Sequence, residues 1–398
     1  MKILFIHNDY FRFSGEEHAA EGLAGLLTQA GHQVDWYRRS SAELGDGFAQ
    51  KIKAFGTGVY NPVAVREVLQ KIEAFQPDII QIQNLYPLIS PAILKPIKKK
   101  GIPVVMRCPN YRLFCPNGLH LTPKGKVCES CLEKGRELNC IAKNCEANIF
   151  KSIGYALRNY TARKFWNLQK EIDAFIVQSK FQKEKFITNG IPKSKISVLP
   201  GLSPELTIPP SELKTEDKLI TFVGRASREK GIIEFVRAAE QLPNLSFAVA
   251  GNLSADLPEL PSQSPPNIEW LGFLKPKPLD QLYQKSRIIV VPSKWYEGFP
   301  NVITRAMMHK RPVITSNIGA MQSVVDHKKN GLLVTPGNAV ALGESIKQLS
   351  EEIDTCRAFG ANGYAKANRL YSKESLLDGL FSTYEMAKRN QAFFKLEA

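Results

Sequence analysis

Long apolar runs are missing from this sequence. Nothing in its 398 residues approaches the roughly 18–20 apolar residues that cross a bilayer. The opening MKILFIHNDY offers one lysine and then four apolar residues, too few for a secretory signal. We therefore expect a cytoplasmic chain. Cysteine is scarce too, seven in all with five between 115 and 145, which excludes a secreted disulfide scaffold. Carboxylates are short as well: 38 Asp and Glu against 53 Lys and Arg leave a formal charge of +15.

That surplus favours anionic partners such as nucleotide phosphates or lipid head groups. The basic residues are spread over helices and no recognition motif accompanies them, so we expect no nucleic-acid partner. Two stretches concentrate the charge, LKPIKKKG (94–101) and RNYTARKFWNLQK (158–170). Both read as solvated helix faces. In the second, Arg163, Lys164, Phe165 and Trp166 mix cations with aromatics as an interfacial helix does, so peripheral contact with the inner face of an anionic membrane is the competing reading.

Along the chain, short buried-strand patterns alternate with helical ones. KILFIHN, HQVDWYRR and PDIIQIQN read as strands, with GEEHAAEGLAGLLTQAG and VAVREVLQKIEAFQ as the helices between them. KLITFVGR, LSFAVAGN, NIEWLGF, RIIVVPS and RPVITSN repeat the rhythm in the second half. Such alternation predicts parallel sheets covered on both faces, an α/β fold of two Rossmann-like domains with a cleft between their carboxyl edges. The expected boundaries are 1–200 for the first domain, with a cysteine-rich excursion at 108–146, and 218–372 for the second. Residues 201–217, rich in Pro, Ser and charge, read as a linker, and 373–398 as an amphipathic helix packing back on the first domain.

Two strand-to-helix junctions in the second half carry the chemistry. VGRASREKG (223–231) sets Arg225 and Lys230 beside the backbone N–H groups of a helix start, a pattern suited to a phosphate or diphosphate. EGFPN (297–301) opens the next helix, with Pro300 fitting its first turn. Glu297 there could accept hydrogen bonds from sugar hydroxyls or simply cap the helix.

These two segments, followed by RPVITSNIGAMQSVVDHKKNGLLVTPGN, resemble the C-terminal half of the retaining glycosyltransferases of family 4, which have the GT-B fold. PDIIQIQNLYPLISP, NYRLFCPNGL and FIVQSKFQKEKFITNGIPKSKISVLPG are similar to one branch of that family, so the likeness runs over nearly the whole chain. The resemblance implies transfer of a sugar from a nucleoside diphosphate sugar to a glycan or lipid-linked acceptor, with no catalytic cofactor. It implies that the diphosphate takes Arg225 and Lys230, and that Glu297, as the catalytic carboxylate, lies with Gly298, Phe299, Pro300, Asn301 and Val302 against the donor sugar. Gly15, in SGEEH, would let the backbone approach the diphosphate.

Four segments depart from the family pattern. The second glutamate of the pair, eight residues beyond Glu297, is Arg305 here, a donor where a ribose-binding acceptor is expected. Glu16 replaces the second of two glycines, Pro109 stands where a histidine is usual, and Gln81 and Gln83 stand where His-x-His is usual. These changes point to altered donor recognition or, in the competing reading, to an inactive GT-B protein that serves as a binding scaffold.

Cys128, Cys131, Cys140 and Cys145 follow C-x2-C-x8-C-x4-C, a spacing that suits a structural zinc; reduced buried thiols or a labile disulfide are the other readings.

Overall fold

The computed structural model describes residues 1–11, 15–44 and 48–396. The chain divides into two compact units: 1–123, 128–199 and 377–398 form the first, and 124–127 and 200–376 the second.

Unit 1 is built on six parallel strands: β1 (Lys2–Asp9), β2 (Gln33–Ser40), β3 (Ile79–Asn84), β4 (Val104–Arg107), β5 (Ala174–Val177) and β6 (Ile196–Val198). Their spatial order is β2-β1-β3-β4-β5-β6. The central strands are near-continuous apolar runs because helices cover both sheet faces; Ile3 to Ile6 and Ala174 to Val177 are fully buried. The last helix, Lys373–Leu396, belongs to this unit from Leu377 onward. Leu380, Tyr384 and Ala387 are buried on one stripe, Thr383 Oγ1 donates to Ser197 Oγ at 2.7 Å, and Asn390 Nδ2 donates to the Asp173 carbonyl at 2.9 Å.

Unit 2 repeats the plan with β7 (Leu219–Val223), β8 (Phe247–Ala250), β9 (Ile268–Gly272), β10 (Ser286–Val291), β11 (Val313–Ser316) and β12 (Gly331–Val334). The order is β12-β11-β10-β7-β8-β9, all parallel. Phe222, Phe235 and Phe247 meet beneath this sheet, with ring centroids 5.6 and 5.5 Å apart. The chain builds outward from β7 through β8 and β9, then returns to start β10 on β7's other side. Such a reversal splays the flanking loops apart and leaves a crevice at the carboxyl ends.

The segment 201–217, read from sequence as a spacer, is strapped to unit 2. Arg287 donates to the carbonyls of Asp217 and Thr215 at 2.5 and 2.6 Å, Arg311 to that of Ser211 at 2.9 Å, and Arg357 to that of Leu213 at 3.1 Å. Leu213 itself is 2% exposed. A proline-rich stretch cannot form a ladder of its own, so its carbonyls are satisfied by arginines from the domain beneath.

Candidate functional site

The crevice of unit 2 lies where the topology puts it. Phe222, Val223 and Gly224 from the end of β7, and Val291 and Ser293 from the end of β10, line a pocket of about 200 Å³ with Lys230, Glu297, Phe299, Pro300, Asn301 and Val302. Two glycines let these loops close together. A Cβ at Gly231 (φ 79°) would lie 2.0 Å from the Pro292 carbonyl oxygen, and one at Gly251 (φ 143°) 1.9 Å from that of Gly224.

Glu297 is 7% exposed, and its Oε1 accepts three hydrogen bonds: from Lys230 Nζ at 2.6 Å, Ser293 Oγ at 2.8 Å and Trp295 Nε1 at 3.0 Å. Lys230 Nζ also lies 5.3 Å from the centre of the Trp295 ring. Carboxylate and ammonium are thus held in fixed positions by charge-assisted bonds at the mouth of one crevice.

Two helices start here. Ile232–Glu240 begins at Gly231 and Asn301–Met308 at Pro300, and neither start has a side-chain cap. Uncapped first turns present N–H groups and the positive end of the helix dipole, which suits an anionic ligand. An anion between them would meet Lys230 as well; Glu297, on the same wall, would be left to accept from hydroxyls.

The other sequence candidates lie elsewhere. Arg225 is turned outward, its side chain 59% exposed and paired with Glu229. Glu229 also accepts from Ser227 Oγ at 2.7 Å; burial works against its charge, but these hydrogen bonds and Arg225 hold it below the usual carboxylate range. Gly298 links Glu297 to the pocket wall without lining it. Gly15 is the first residue of the helix Gly15–Gln29 in unit 1, with open space where a Cβ would stand.

Arg305 is committed to a buried cluster. Its Nε donates to Asp280 Oδ1 at 2.7 Å, and Nη2 is 2.7 Å from the same oxygen. His309 Nε2 is 2.8 Å from that oxygen, while Thr207 N and Oγ1 donate to Oδ2 at 2.7 and 2.6 Å. Burial raises the Asp280 carboxyl, yet the bonds from Thr207, His309 and Arg305 outweigh it and the pKa lies below its ordinary value. Arg305 does not line the pocket.

Two further departures have local partners in unit 1. Gln81 Oε1 accepts from the buried Tyr384 hydroxyl. Glu16 accepts from Tyr10 Oη at 2.7 Å and from Asn110 Nδ2 at 2.9 Å.

The cysteines of the excursion are all free thiols. Cys131 and Cys140 are buried against Ala156 with Cys145 beside them, and Cys140 and Cys145 share a hydrogen bond. Cys128 instead accepts from Lys143 Nζ at 3.5 Å. Among the described residues, the metal-type side chains that converge as a group are His7, Asp9 and Glu17. The four cysteine sulfurs do not form such a group, so no step is routed through zinc.

Sequence reading missed Ser293 and Trp295, which hold Glu297, and Asp280, Thr207 and His309, which hold Arg305. Ser293 and Trp295 sit within four residues of Glu297, at a strand end where ligand-facing groups gather. Asp280 lies 25 residues from Arg305 on another helix, and no local pattern announces that pairing.

The two parallel-sheet α/β units define a GT-B architecture. Residues 205–366 match the family described as glycosyl transferases group 1, so the second unit carries a glycosyltransferase group 1 domain of GT-B type. The chain is 29% identical over 268 residues to an uncharacterized 42.6 kDa protein in cps region of Klebsiella pneumoniae, covering 66% of this chain and 63% of that one. It is 28% identical over 233 residues to the capsular polysaccharide biosynthesis glycosyltransferase CapM of Staphylococcus aureus, covering 52% and 60%. Against these curated relatives, then, it spans less than two thirds of their length. In shape it resembles Anabaena Alr3699/HepE, crystallised in complex with UDP-glucose, with a TM-score of 0.65 at 17% identity over 97% of this chain and 99% of that one.

Proposed function

We propose that this chain is a retaining glycosyltransferase that moves a sugar from a nucleoside diphosphate sugar to a glycan or lipid-linked acceptor in polysaccharide biosynthesis. The observation that carries this reading is the Lys230–Glu297 couple, set at the topological switch point of unit 2 between two uncapped helix starts. A cation and a hydrogen-bond acceptor side by side suit a ligand that is anionic at one end and hydroxylated at the other. The group 1 domain and the similarity to CapM support the same class.

In this reading Lys230 and the first-turn N–H groups of both helices hold the diphosphate, and Arg225 swings from Glu229 to join them. Glu297 accepts from the donor sugar's hydroxyls, while Ser293 and Trp295 keep it in place. As the anomeric bond breaks, negative charge gathers on the departing phosphate oxygen, where these groups stabilise it electrostatically. The acceptor hydroxyl attacks from the same face and gives its proton to that leaving oxygen, so no protein nucleophile is required. Tethering the two substrates supplies the rest through proximity.

The acceptor-side surface also presents Phe150, 82% exposed, and Phe165, 59% exposed, near Lys151 and Lys164. That pairing of aromatics and cations supports peripheral contact with an anionic membrane carrying a lipid-linked acceptor. No described helix is long and apolar enough to cross a membrane.

The test is transfer of labelled sugar from a panel of nucleoside diphosphate sugars to lipid-linked acceptors. Lys230→Ala is expected to lower the rate at least 100-fold, whereas transfer that persists unchanged in this variant would overturn the assignment. The competing scaffold reading rests on Arg305, whose guanidinium is held by Asp280. It gains if no donor binds a folded sample.

A further inference from the structure

Unit 1 contains a second pocket that the mechanism above does not use. It opens at the carboxyl edge of the first sheet, where Gln83 and Asn84 end β3 and Met106 and Arg107 end β4, and the loop after β4 adds Asn110 and Arg112. Its volume is about 50 Å³. At roughly 10–15 Å³ per water that is room for a few waters, or for one small substituent rather than a sugar ring.

The charge around it is unbalanced. Arg107 and Arg112 line the pocket, and Arg158 stands behind it with its guanidinium 4.5 Å from the ring of Tyr86, another lining residue. Among the described residues none of the three arginines has a carboxylate in ion-pair contact; each leans on neutral oxygens. With the Gln178 amide turned so that its oxygen faces the guanidinium, Arg107 Nη2 donates to it at 3.0 Å; Arg112 Nη1 donates to Tyr10 Oη at 3.0 Å and Arg158 Nη2 to the Pro116 carbonyl at 2.9 Å. Arg163, also lining, is by contrast neutralised by Glu137 at 2.7 Å. The carboxylate on the wall, Glu16, is engaged by Tyr10 and Asn110.

An unpartnered donor adds to this surplus. Gln83 is 6% exposed, and its Nε2 has no hydrogen-bond partner within the protein. Arg158 is buried and Arg107 and Arg112 are half-buried; cations drawn out of water without an ion-pair partner, and a buried donor without an acceptor, are both costly to keep. Burial pushes the Arg107 and Arg158 guanidiniums below their ordinary range against the pull of Glu16 and Glu146, whereas at Arg112 burial is outweighed by Tyr10 and Glu16, which raise it. One group with several acceptor oxygens and a negative charge would satisfy them together.

We infer that this pocket binds an anionic substituent, a carboxylate or a phosphate, borne by one of the two sugar substrates. Only the naming of the carrier rests on the transferase reading; the anion site stands on the arginines, Gln83 and the cavity. The carrier is either the donor, as a uronic acid, or the acceptor, as a sugar phosphate or uronate.

The experiment is calorimetry on the full chain with methyl glucuronide, glucose 6-phosphate and neutral methyl glucoside, each with and without saturating UDP. At least one anionic probe is expected to bind ten or more times tighter than methyl glucoside. Arg107→Met and Arg112→Met should each remove that margin, Arg107→Lys should keep part of it, and the remote Lys347→Ala should leave it unchanged. Persistence of the margin under saturating UDP assigns the anion to the acceptor. A tenfold preference for UDP-glucuronate over UDP-glucose, lost in Arg107→Met, assigns it to the donor. If UDP fails to bind while the margin holds, the transferase reading falls and the anion site stands. Equal affinity for anionic and neutral probes in the wild type, or a margin that survives both methionine variants, overturns the inference.

Discussion

Arg305 and Asp280 form a buried ion pair in which one carboxylate oxygen receives the arginine Nε at 2.7 Å while the other receives both donors of Thr207. The arginine that stands where the sequence resemblance calls for a glutamate thus has a partner within its own unit. Asp280 is fully buried and Arg305 largely so, with 15% of its side chain exposed.

Removing either partner should therefore affect folding before it affects binding. Arg305→Ala leaves Asp280 with Thr207 and His309 and should cost about 1–3 kcal/mol, the penalty for an under-satisfied buried group. Arg305→Glu sets a second carboxylate against Asp280 and should cost about 3–5 kcal/mol, as breaking a buried pair does. Urea denaturation of the single variants checks both values. A stable Arg305→Glu protein that binds nucleotide more tightly would show that the pair is dispensable and that position 305 faces the donor.

Arg311 is 1% exposed and donates to the carbonyls of Tyr283, Ser211, His309 and Gln284 at 2.6 to 3.1 Å. Arg311→Met strands several of these acceptors and frees the strap over unit 2. We expect a loss of about 2–4 kcal/mol, and faster proteolysis between residues 200 and 217, read by mass spectrometry of the fragments.

Acid should weaken the fold well above the carboxylate range. Burial lowers the pKa of His309 below 6.5, against the opposing pull of Asp280, and burial likewise lowers His7 and His120. Above pH 6.5 both folded and unfolded forms are neutral at these sites, so stability is unaffected. As pH falls below 6.5 the unfolded chain takes up protons that the folded chain does not, and stability drops until the lower folded values are reached. Each unit of lowering is worth about 1.4 kcal/mol. The thermal midpoint, followed from pH 7.5 to 5, should decline, and His309→Gln should flatten part of that decline.

Cys145 should be the reactive thiol of the excursion. The hydrogen bond from Cys140 holds its pKa down to about 7, whereas burial holds Cys131 at about 12. Since the thiolate is the nucleophile, iodoacetamide should label Cys145 first, with a rate that rises through pH 7 and then levels. Metal analysis of protein purified without added zinc tests the C-x2-C spacing: less than about half an equivalent rules a structural zinc out, whereas a full equivalent with Cys145 protected from alkylation would mean that the thiols share an ion.

Much of the architecture was legible because parallel strands buried on both faces leave short apolar runs ending in Gly, Ser or Asn. KLITFVGR and RIIVVPS are such runs, and they flank the crevice. Lys230 and Glu297 were legible because each adjoins a helix start. The strap was not: nothing local in residues 201–217 shows that Arg287, Arg311 and Arg357, each about 70 or more residues on, hold its carbonyls. Arg305 was noticed as an anomaly but not explained, since its partner lies on a separate helix. The C-x2-C spacing suggests shared ligation; the fold gathers Cys131, Cys140 and Cys145, while Cys128 accepts from Lys143, a contact that spacing alone does not fix. The arginine pocket escaped because its members come from 107, 112 and 158, which only the folded sheet edge brings together.

Whether the crevice of unit 2 binds a nucleoside diphosphate sugar through Lys230 and Glu297 is decided by calorimetry of the purified chain against UDP, GDP, ADP, TDP and CMP and their common sugar conjugates. One diphosphate family is expected to bind, with Lys230→Ala weakening it at least tenfold and Glu297→Gln weakening the sugar conjugate more than the bare nucleotide. No binding by a folded sample, or binding that Lys230→Ala leaves intact, would contradict it.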